Sequence, residues 1–323
     1  MASALQLPPR DIDVIISSGA YSAGTRVTRV QNASIPLRHN SEDVKELGST
    51  DFWTIMGEPS VEASFTRNLL GDLHVPQLLN SSFVSGDSIA DLVWGSTNEL
   101  VKKNIYIVGG ASKEIIWGAK DAYLTSVTFS FDSGGTATEA WSFEGQEMTS
   151  DSALGNITQS TVTGMNAASG YGGVRHDKIT VQLLNSSLSS AIKERVLSVT
   201  LTATVNRTAL SELLATQDGG SFGPYARVVD LPFDVSASIS LNPSDNFSLI
   251  TSVLGSLNSP YTLAEAGSNA ILNVIVRNGG YNTTYSIPKV QRSEVTFNAD
   301  AGTGGTFTLT LKGLDITITR AAA

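Results

Sequence analysis

The sequence predicts a mainly β protein with a few short helices, built as two tandem copies of one domain. Three observations carry that expectation. Apolar residues recur at every second position, helical signals are few and brief, and the second half of the chain restates the first. Phe307, Leu309 and Leu311 alternate with Thr308, Thr310 and Lys312, the pattern of a half-buried strand. Leu197, Val199, Leu201 and Ala203 alternate in the same way.

The restatement can be followed element by element. Ile105-Tyr-Ile-Val-Gly-Gly, Ile116-Trp-Gly-Ala-Lys120, Val127-Thr-Phe-Ser-Phe-Asp132 and Trp141-Ser-Phe-Glu-Gly145 form one passage. Val274-Ile-Val-Arg-Asn-Gly279, Tyr285-Ser-Ile-Pro-Lys289, Val295-Thr-Phe-Asn-Ala-Asp300 and Leu309-Thr-Leu-Lys-Gly313 form the other. Asp132 and Asp300 are 168 residues apart (300 − 132), as are Gly145 and Gly313 (313 − 145). Ala33, Ile35 and Leu37 fall on Val199, Leu201 and Ala203, and Val61 to Phe65 fall on Val235 to Ile239. These offsets are even, so the same residues stay on the core face. A period this long is a whole domain and not a solenoid unit.

Glycine clusters at Ser133-Gly-Gly and Gly302 to Gly305 read as turns between alternating strands. Helical segments are expected at Asp87–Trp94 and Asp245–Leu254, each opening on an aspartate able to cap free N–H groups. A third pair, Ser41–Leu47 and Thr208–Leu214, also carries helical signals. The Ser/Thr/Asn/Gly-rich stretch from Thr149 to Gly173 is the candidate linker. The expected organisation is an N-terminal arm at 1–24, a β domain at 25–150, a linker at 151–173 and a second β domain at 174–323. In the arm, Asp13-Val-Ile-Ile16 either completes its own domain or adds a strand to a neighbour.

Composition narrows the function classes. With no cysteine, the chain has no disulfide framework, thiolate metal site or cysteine nucleophile. The first residues lack the charged and apolar regions of a signal peptide, and no apolar stretch approaches the roughly 20 residues of a membrane span. A soluble chain made in the cytoplasm, with no membrane partner, is expected. The seven N-x-[ST] triplets are then chance occurrences in a Ser/Thr-rich sequence. Net charge is −9, with most of the acidic excess before residue 151. That balance opposes sequence-independent binding of nucleic acid, which needs Lys and Arg against phosphates.

No catalytic constellation emerges. Gly219-Gly-Ser221-Phe-Gly223 matches the nucleophile-elbow pattern, but that chemistry needs a histidine after the serine, and His39, His74 and His176 all precede it. The histidines lack metal-ligand spacing, and neither Asp11 with Asp13 nor Glu42 with Asp43 lies in a calcium-loop pattern. No enzyme activity, cofactor or metal is expected. Trp141 takes a core position in its strand. Phe52 and Trp53 sit in a polar stretch whose counterpart region holds Tyr225; they either anchor a protein partner or fold back on their own domain.

Val30-Gln-Asn-Ala-Ser-Ile-Pro-Leu37, Ser41-Glu-Asp-Val-Lys-Glu-Leu-Gly48, Met56-Gly-Glu-Pro-Ser-Val-Glu-Ala-Ser64 and Gly223-Pro-Tyr-Ala-Arg-Val-Val-Asp-Leu-Pro-Phe-Asp-Val235 together resemble the tail tube (major tail) proteins of tailed bacteriophages. The likeness covers about 35 residues of each repeat directly. The first repeat keeps Glu-Leu-Gly48 without Gly-Pro-Tyr; the second keeps Gly-Pro-Tyr225 without that glycine. The resemblance implies two tandem tube-type β-sandwich or barrel domains that assemble into stacked rings of a virion tail, put together in the host cytoplasm. It implies a trimer of pseudo-sixfold outline, with a hexamer as the alternative, contact with other tail proteins, and a lumen through which DNA passes without sticking. Phe52, Trp53, Tyr225 and Arg227 are the expected ring-to-ring contacts. The competing expectation is a tandem Ig-like decoration or adhesion module that binds a host glycan or protein.

Overall fold

Alternating Val, Ile, Phe and Thr segments become strands, because a pleated chain buries one row of side chains and leaves the other to water. The computed structural model describes residues 12–19, 24–45, 52–94, 100–109, 115–151, 163–164, 173–184, 191–192, 196–210, 226–242, 271–300 and 304–323. In the first half these form β1 (Asp13–Ser17), β2 (Thr25–Val27), β3 (Val30–Ser34), β4 (Leu37–Lys45), β5 (Phe52–Asn68), α1 (His74–Leu79), α2 (Ile89–Trp94), β6 (Lys103–Gly109), β7 (Ile115–Asp132), β8 (Thr138–Gly145) and β9 (Glu147–Asp151), followed by β10 (Thr163–Gly164). The second half holds β11 (Ile179–Leu184), β12 (Ala191–Ile192), β13 (Val196–Thr204), β14 (Arg207–Leu210), β15 (Ala226–Val229), β16 (Asp234–Leu241), β17 (Ile271–Asn278), β18 (Tyr281–Ile287), β19 (Gln291–Asp300), β20 (Gly304–Gly313) and β21 (Thr317–Ala322). The protein is mainly β with a few short helices, as the alternation predicts.

The two halves share a topology. An outer sheet runs β2-β1-β6-β7-β9 in the first and β12-β11-β17-β18-β21 in the second. An inner sheet pairs β3 and β4 with β5, then β8 and β7; its counterpart runs β13-β16-β20-β19. Asp13–Ser17 therefore completes the first half's own outer sheet. Registers repeat as well: Ala33 faces Phe65 and Leu37 faces Val61, as Val199 faces Ile239 and Ala203 faces Val235. Between the two sheets of each half lies an apolar core that includes Val61, Ala63, Phe65, Trp141 and Phe143 in the first half, and Val235, Ala237, Ile239, Leu309 and Leu311 in the second.

β7 serves both layers of the first half in one strand of 18 residues. Its counterpart divides into β18 and β19, and the break sits where β7 also deviates. Asp121 has φ 47° and Lys289 has φ 53°, at positions 168 apart. A left-handed residue kinks the strand so that its two ends can serve different sheets. The same corner needs a glycine on the neighbouring strand. A Cβ on Gly145 would meet Ala119 Cβ and the Lys120 carbonyl at 3.1 Å, and one on Gly313 would come within 2.1 Å of Ile287 Cγ2. Ile287 is fully buried and cannot step aside. Gly313→Ala is accordingly expected to destabilise the chain by about 1–3 kcal/mol, read as a lowered midpoint in denaturant. An unchanged midpoint would show that the corner is not tightly packed.

The helical segment of the first half is fastened to the second half. Gly86 N–H donates to the Ile318 carbonyl and Ile89 N–H to the Ile316 carbonyl, both at 2.9 Å. Asn278 Nδ2 donates to the Leu70 carbonyl at 2.8 Å, and Thr283 Oγ1 to the Gly71 carbonyl at 2.5 Å. The helix expected within Asp87–Trp94 is α2. Asp87 does not open it as a cap; its carboxylate accepts the Val84 N–H at 2.7 Å.

Ser41–Leu47 is a correction: Ser41–Lys45 lies in β4, paired with Phe52–Met56 of β5, because ladder pairing outweighs weak helical propensity. Thr208–Leu210 is likewise extended, in β14. Asp245–Leu254 lies outside the described residues. In the expected linker, Thr149 to Asp151 belong to β9, and Thr163–Gly164 pairs in parallel with β2.

Candidate assembly surface

The two inner sheets are joined edge to edge. β7 pairs antiparallel with β13 over Ser126–Asp132 and Ser198–Thr204, with Phe131 opposite Val199, Phe129 opposite Leu201 and Val127 opposite Ala203. Ser133 N–H donates to the Leu197 carbonyl at 2.8 Å and Val205 N–H to the Thr125 carbonyl at 2.7 Å. Odd-numbered residues of β13 therefore turn their backbone groups toward β7. The even-numbered pairs approach through side chains, and the Thr128 and Thr202 hydroxyls are hydrogen-bonded at 3.2 Å. On the core side, the Phe129 ring packs edge-on against Trp141 at 6.1 Å and lies 4.7 Å from the ring of Tyr285, a second-half residue.

This joint leaves two edges. The continuous sheet ends at β19 on one side and at β3 with β4 on the other, and among the described residues neither outer edge is paired. Phe297 on β19 is 55% exposed, whereas its counterpart Phe129 is 1% exposed. Leu37 on the other edge is 42% exposed, against 1% for its counterpart Ala203. Trp117, the counterpart of buried Tyr285, is 46% exposed. Open apolar edges of this kind are joints or liabilities.

The joined sheet also has a face turned away from the core, on which hydroxyl side chains predominate. Ser64, Thr66, Thr128, Ser130, Thr200, Thr202, Ser236, Ser238, Thr308 and Thr310 all lie between core-facing residues of their strands, with Ala140 an apolar residue on the same row. The charged residues there are Glu62, Asp132, Glu144, Asp234 and Glu294, with Lys312 the basic one among the described side chains. Arg227 pairs with Glu144 at the end of this face.

The residues expected at ring contacts fall in different settings. Phe52 and Trp53 are in β5, opposite Lys45 and Val44, so the expected polar connector is extended strand there; their side chains lie outside what is described. Tyr225 is outside the described residues. Arg227 is 4% exposed, on β15, and donates to Glu144 and to the Gly145 carbonyl, tying the β14–β15 hairpin to β8. Beside it, Arg207 donates to the Leu124 carbonyl at 3.1 Å and lies 5.0 Å over the Tyr123 ring; burial pulls its pKa down to about 10.

Sequence reasoning missed a buried ion cluster. Arg67 and Glu139 face each other on β5 and β8, both buried on the core side, and Arg67 also donates to Asp72 at 2.6 Å. Burial opposes the Arg67 charge, but the two carboxylates hold its pKa above the ordinary value. Burial also holds the Glu139 carboxyl above its usual range, against the pull of Arg67. Nearby His74 is buried and its pKa is lowered, first by burial and then by Arg67. The signal was present in the sequence: Arg67 extends the Val61, Ala63, Phe65 row, and Glu139 precedes Trp141 and Phe143 in theirs.

His176 is exposed in a short 3-10 turn and Ser221 is outside the described residues. Among the described residues, no group of three or more His, Asp or Glu side chains is placed to hold a metal ion, and no helix is long and apolar enough to cross a membrane. A cavity of about 70 Å³ beside the β7–β13 joint, lined by Phe131, His176, Val181 and Val199 among others, is far below the roughly 300–1,000 Å³ of a metabolite site. The arrangement offers a joined sheet, two open edges and a hydroxyl-rich acidic face. No family model matches the chain, and no curated protein does.

Proposed function

We propose that this chain is a tail tube subunit of a tailed bacteriophage, with its two halves acting as tandem tube-type β domains that line a conduit for DNA. The observation that carries this reading is the hydroxyl-rich, mainly acidic outward face of the joined inner sheet. Serine and threonine hydroxyls can exchange hydrogen bonds with water as easily as with phosphate, and carboxylates repel a polyanion. A lining rich in Lys and Arg would instead release condensed counterions and hold the DNA. Duplication supplies the geometry: three chains provide six half-equivalent domains, so a trimer gives a ring that is sixfold in outline and threefold in fact. In this reading the chain works in the virion tail, contacts other tail proteins at the tube ends and performs no catalysis.

Negative-stain electron microscopy of the purified full chain tests it. Rings or tubes with a central channel are expected. Isolated particles at all concentrations, combined with binding to a host glycan or protein, would instead favour the decoration or adhesion module.

A further inference from the structure

We propose that Asn278 is a site of spontaneous deamidation, and that its conversion to aspartate or isoaspartate releases one of the ties that fasten the second half of the chain to the first. Asn278-Gly279 is the one Asn-Gly pair in the sequence. A glycine after asparagine leaves the backbone nitrogen open to approach, because no side chain crowds it. β17 and β18 meet in a two-residue turn. Asn278 faces Tyr281 in the last ladder pair, and Gly279 and Gly280, both exposed, form the bend with φ 57° and 80°. The Gly279 nitrogen therefore lies beyond the ladder, next to the side-chain amide it would attack. This chemistry belongs to the single chain and is independent of tube assembly.

The step needs water as its only co-reactant. The Gly279 nitrogen gives up its proton and attacks Asn278 Cγ. The Cγ–Nδ2 bond breaks, and Nδ2 leaves as ammonia, which carries that proton away. A succinimide ring remains. Water then opens the ring at one carbonyl or the other, giving aspartate in the ordinary main chain or isoaspartate, whose main chain runs through the side-chain carbon.

What the reaction removes is a donor that crosses between the halves. Asn278 Nδ2 donates to the Leu70 carbonyl at 2.8 Å, and Leu70 is buried. Beside it, Thr283 Oγ1 donates to the Gly71 carbonyl. A Cβ on Gly71 would lie 3.2 Å from Val276 Cγ1, so the chain is closely packed at this crossing. While the tie holds, it fixes the Asn278 side chain and restrains the rotation that the attack needs. An ionised carboxylate has no proton to give. Set against the Leu70 carbonyl it places acceptor against acceptor, and the carbonyl of a buried residue loses this donor. Isoaspartate also lengthens the main chain at the strand end, which disturbs the Asn278–Tyr281 pair. Deamidation is thus slow while the halves are tied, and its product cannot restore the tie.

Incubating the full chain folded in mildly alkaline buffer, beside the same chain in denaturant, tests the site. Peptides are made with pepsin at acid pH, where deamidation is slow, and read by mass spectrometry. The unfolded chain is expected to convert Asn278 ahead of its other asparagines. The folded chain should convert it about two- to tenfold more slowly, the protection that one hydrogen bond gives. Thr283→Val, checked for a cooperative melt, removes the neighbouring tie and should bring the folded rate toward the unfolded one. Asn278→Asp, which copies one product, should raise hydrogen exchange across residues 69–79 and 271–287 about fivefold or more. Three results would overturn the proposal: no conversion in the folded chain once the unfolded chain has fully reacted, a folded rate indifferent to Thr283→Val, or unchanged exchange in Asn278→Asp.

Discussion

Arg67→Leu alone is expected to cost about 3–5 kcal/mol, because it leaves Glu139 buried without its cation. Glu139 is 2% exposed and already strained toward protonation by burial, so it cannot recover the lost interaction from water. The second half shows what the same place looks like without charge. There, Leu241 faces Phe307 on β16 and β20, at the positions that Arg67 and Glu139 take on β5 and β8. Arg67→Leu combined with Glu139→Phe copies that pair, and the double variant is expected to return to within about 1 kcal/mol of the parent or to exceed it, as apolar replacements of buried ion pairs commonly do. Asp72 would lose its partner too, but its side chain is 25% exposed and can rehydrate. Chemical denaturation of the four proteins in this cycle reads the coupling. A single variant that costs less than about 1 kcal/mol would mean that water reaches the pair.

Placing lysine on the hydroxyl-rich acidic face should turn the proposed non-sticking conduit into a DNA trap. Ser64→Lys and Ser238→Lys sit at matching positions of β5 and β16, both on the outward row. In a ring of three chains they add six cations at one level, within reach of phosphates. DNA bound by about six to ten such contacts loses about 10³–10⁵ in affinity between 50 and 200 mM salt. The expected result is that assembled protein retains DNA at low salt and frees it steeply as salt rises, with the parent retaining none. Retention only on unassembled chains, or none at all, would indicate that this face does not line the channel. Folding should be little affected, since both serines are only partly buried.

Much of the fold was legible because its signals are local. The Val61, Ala63, Phe65 and Phe307, Leu309, Leu311 rows are buried as alternation requires, and the Ser133-Gly-Gly turn joins β7 to β8. α1 was not legible: its six residues include Pro76, no side chain caps its start, and it is held by packing of His74, Val75 and Leu79. Ser41–Lys45 misled because charged residues at helical spacing also suit an extended hairpin, and partner choice decided between them. The candidate surface was the least legible part. Nothing in the periodicity of β7 or β13 says that they pair with each other, since a strand's neighbour is a long-range property. Phe297 and Trp117 gain meaning only once Phe129 and Tyr285 are seen in contact across the halves.

The proposed assembly is a ring of three chains whose joined inner sheets face the channel. Cryo-electron microscopy of the assembled full chain measures symmetry and sheet orientation together. The expected map has threefold symmetry with a sixfold outline, and an inner wall to which the described strands of each chain contribute eight positions, β3 and β4 sharing one, twenty-four in all (three times eight), with the Ser64 and Ser238 face toward the axis. A closed monomer, a layer of twelve half-domains from six chains, or a wall with the hydroxyl face turned outward would contradict it.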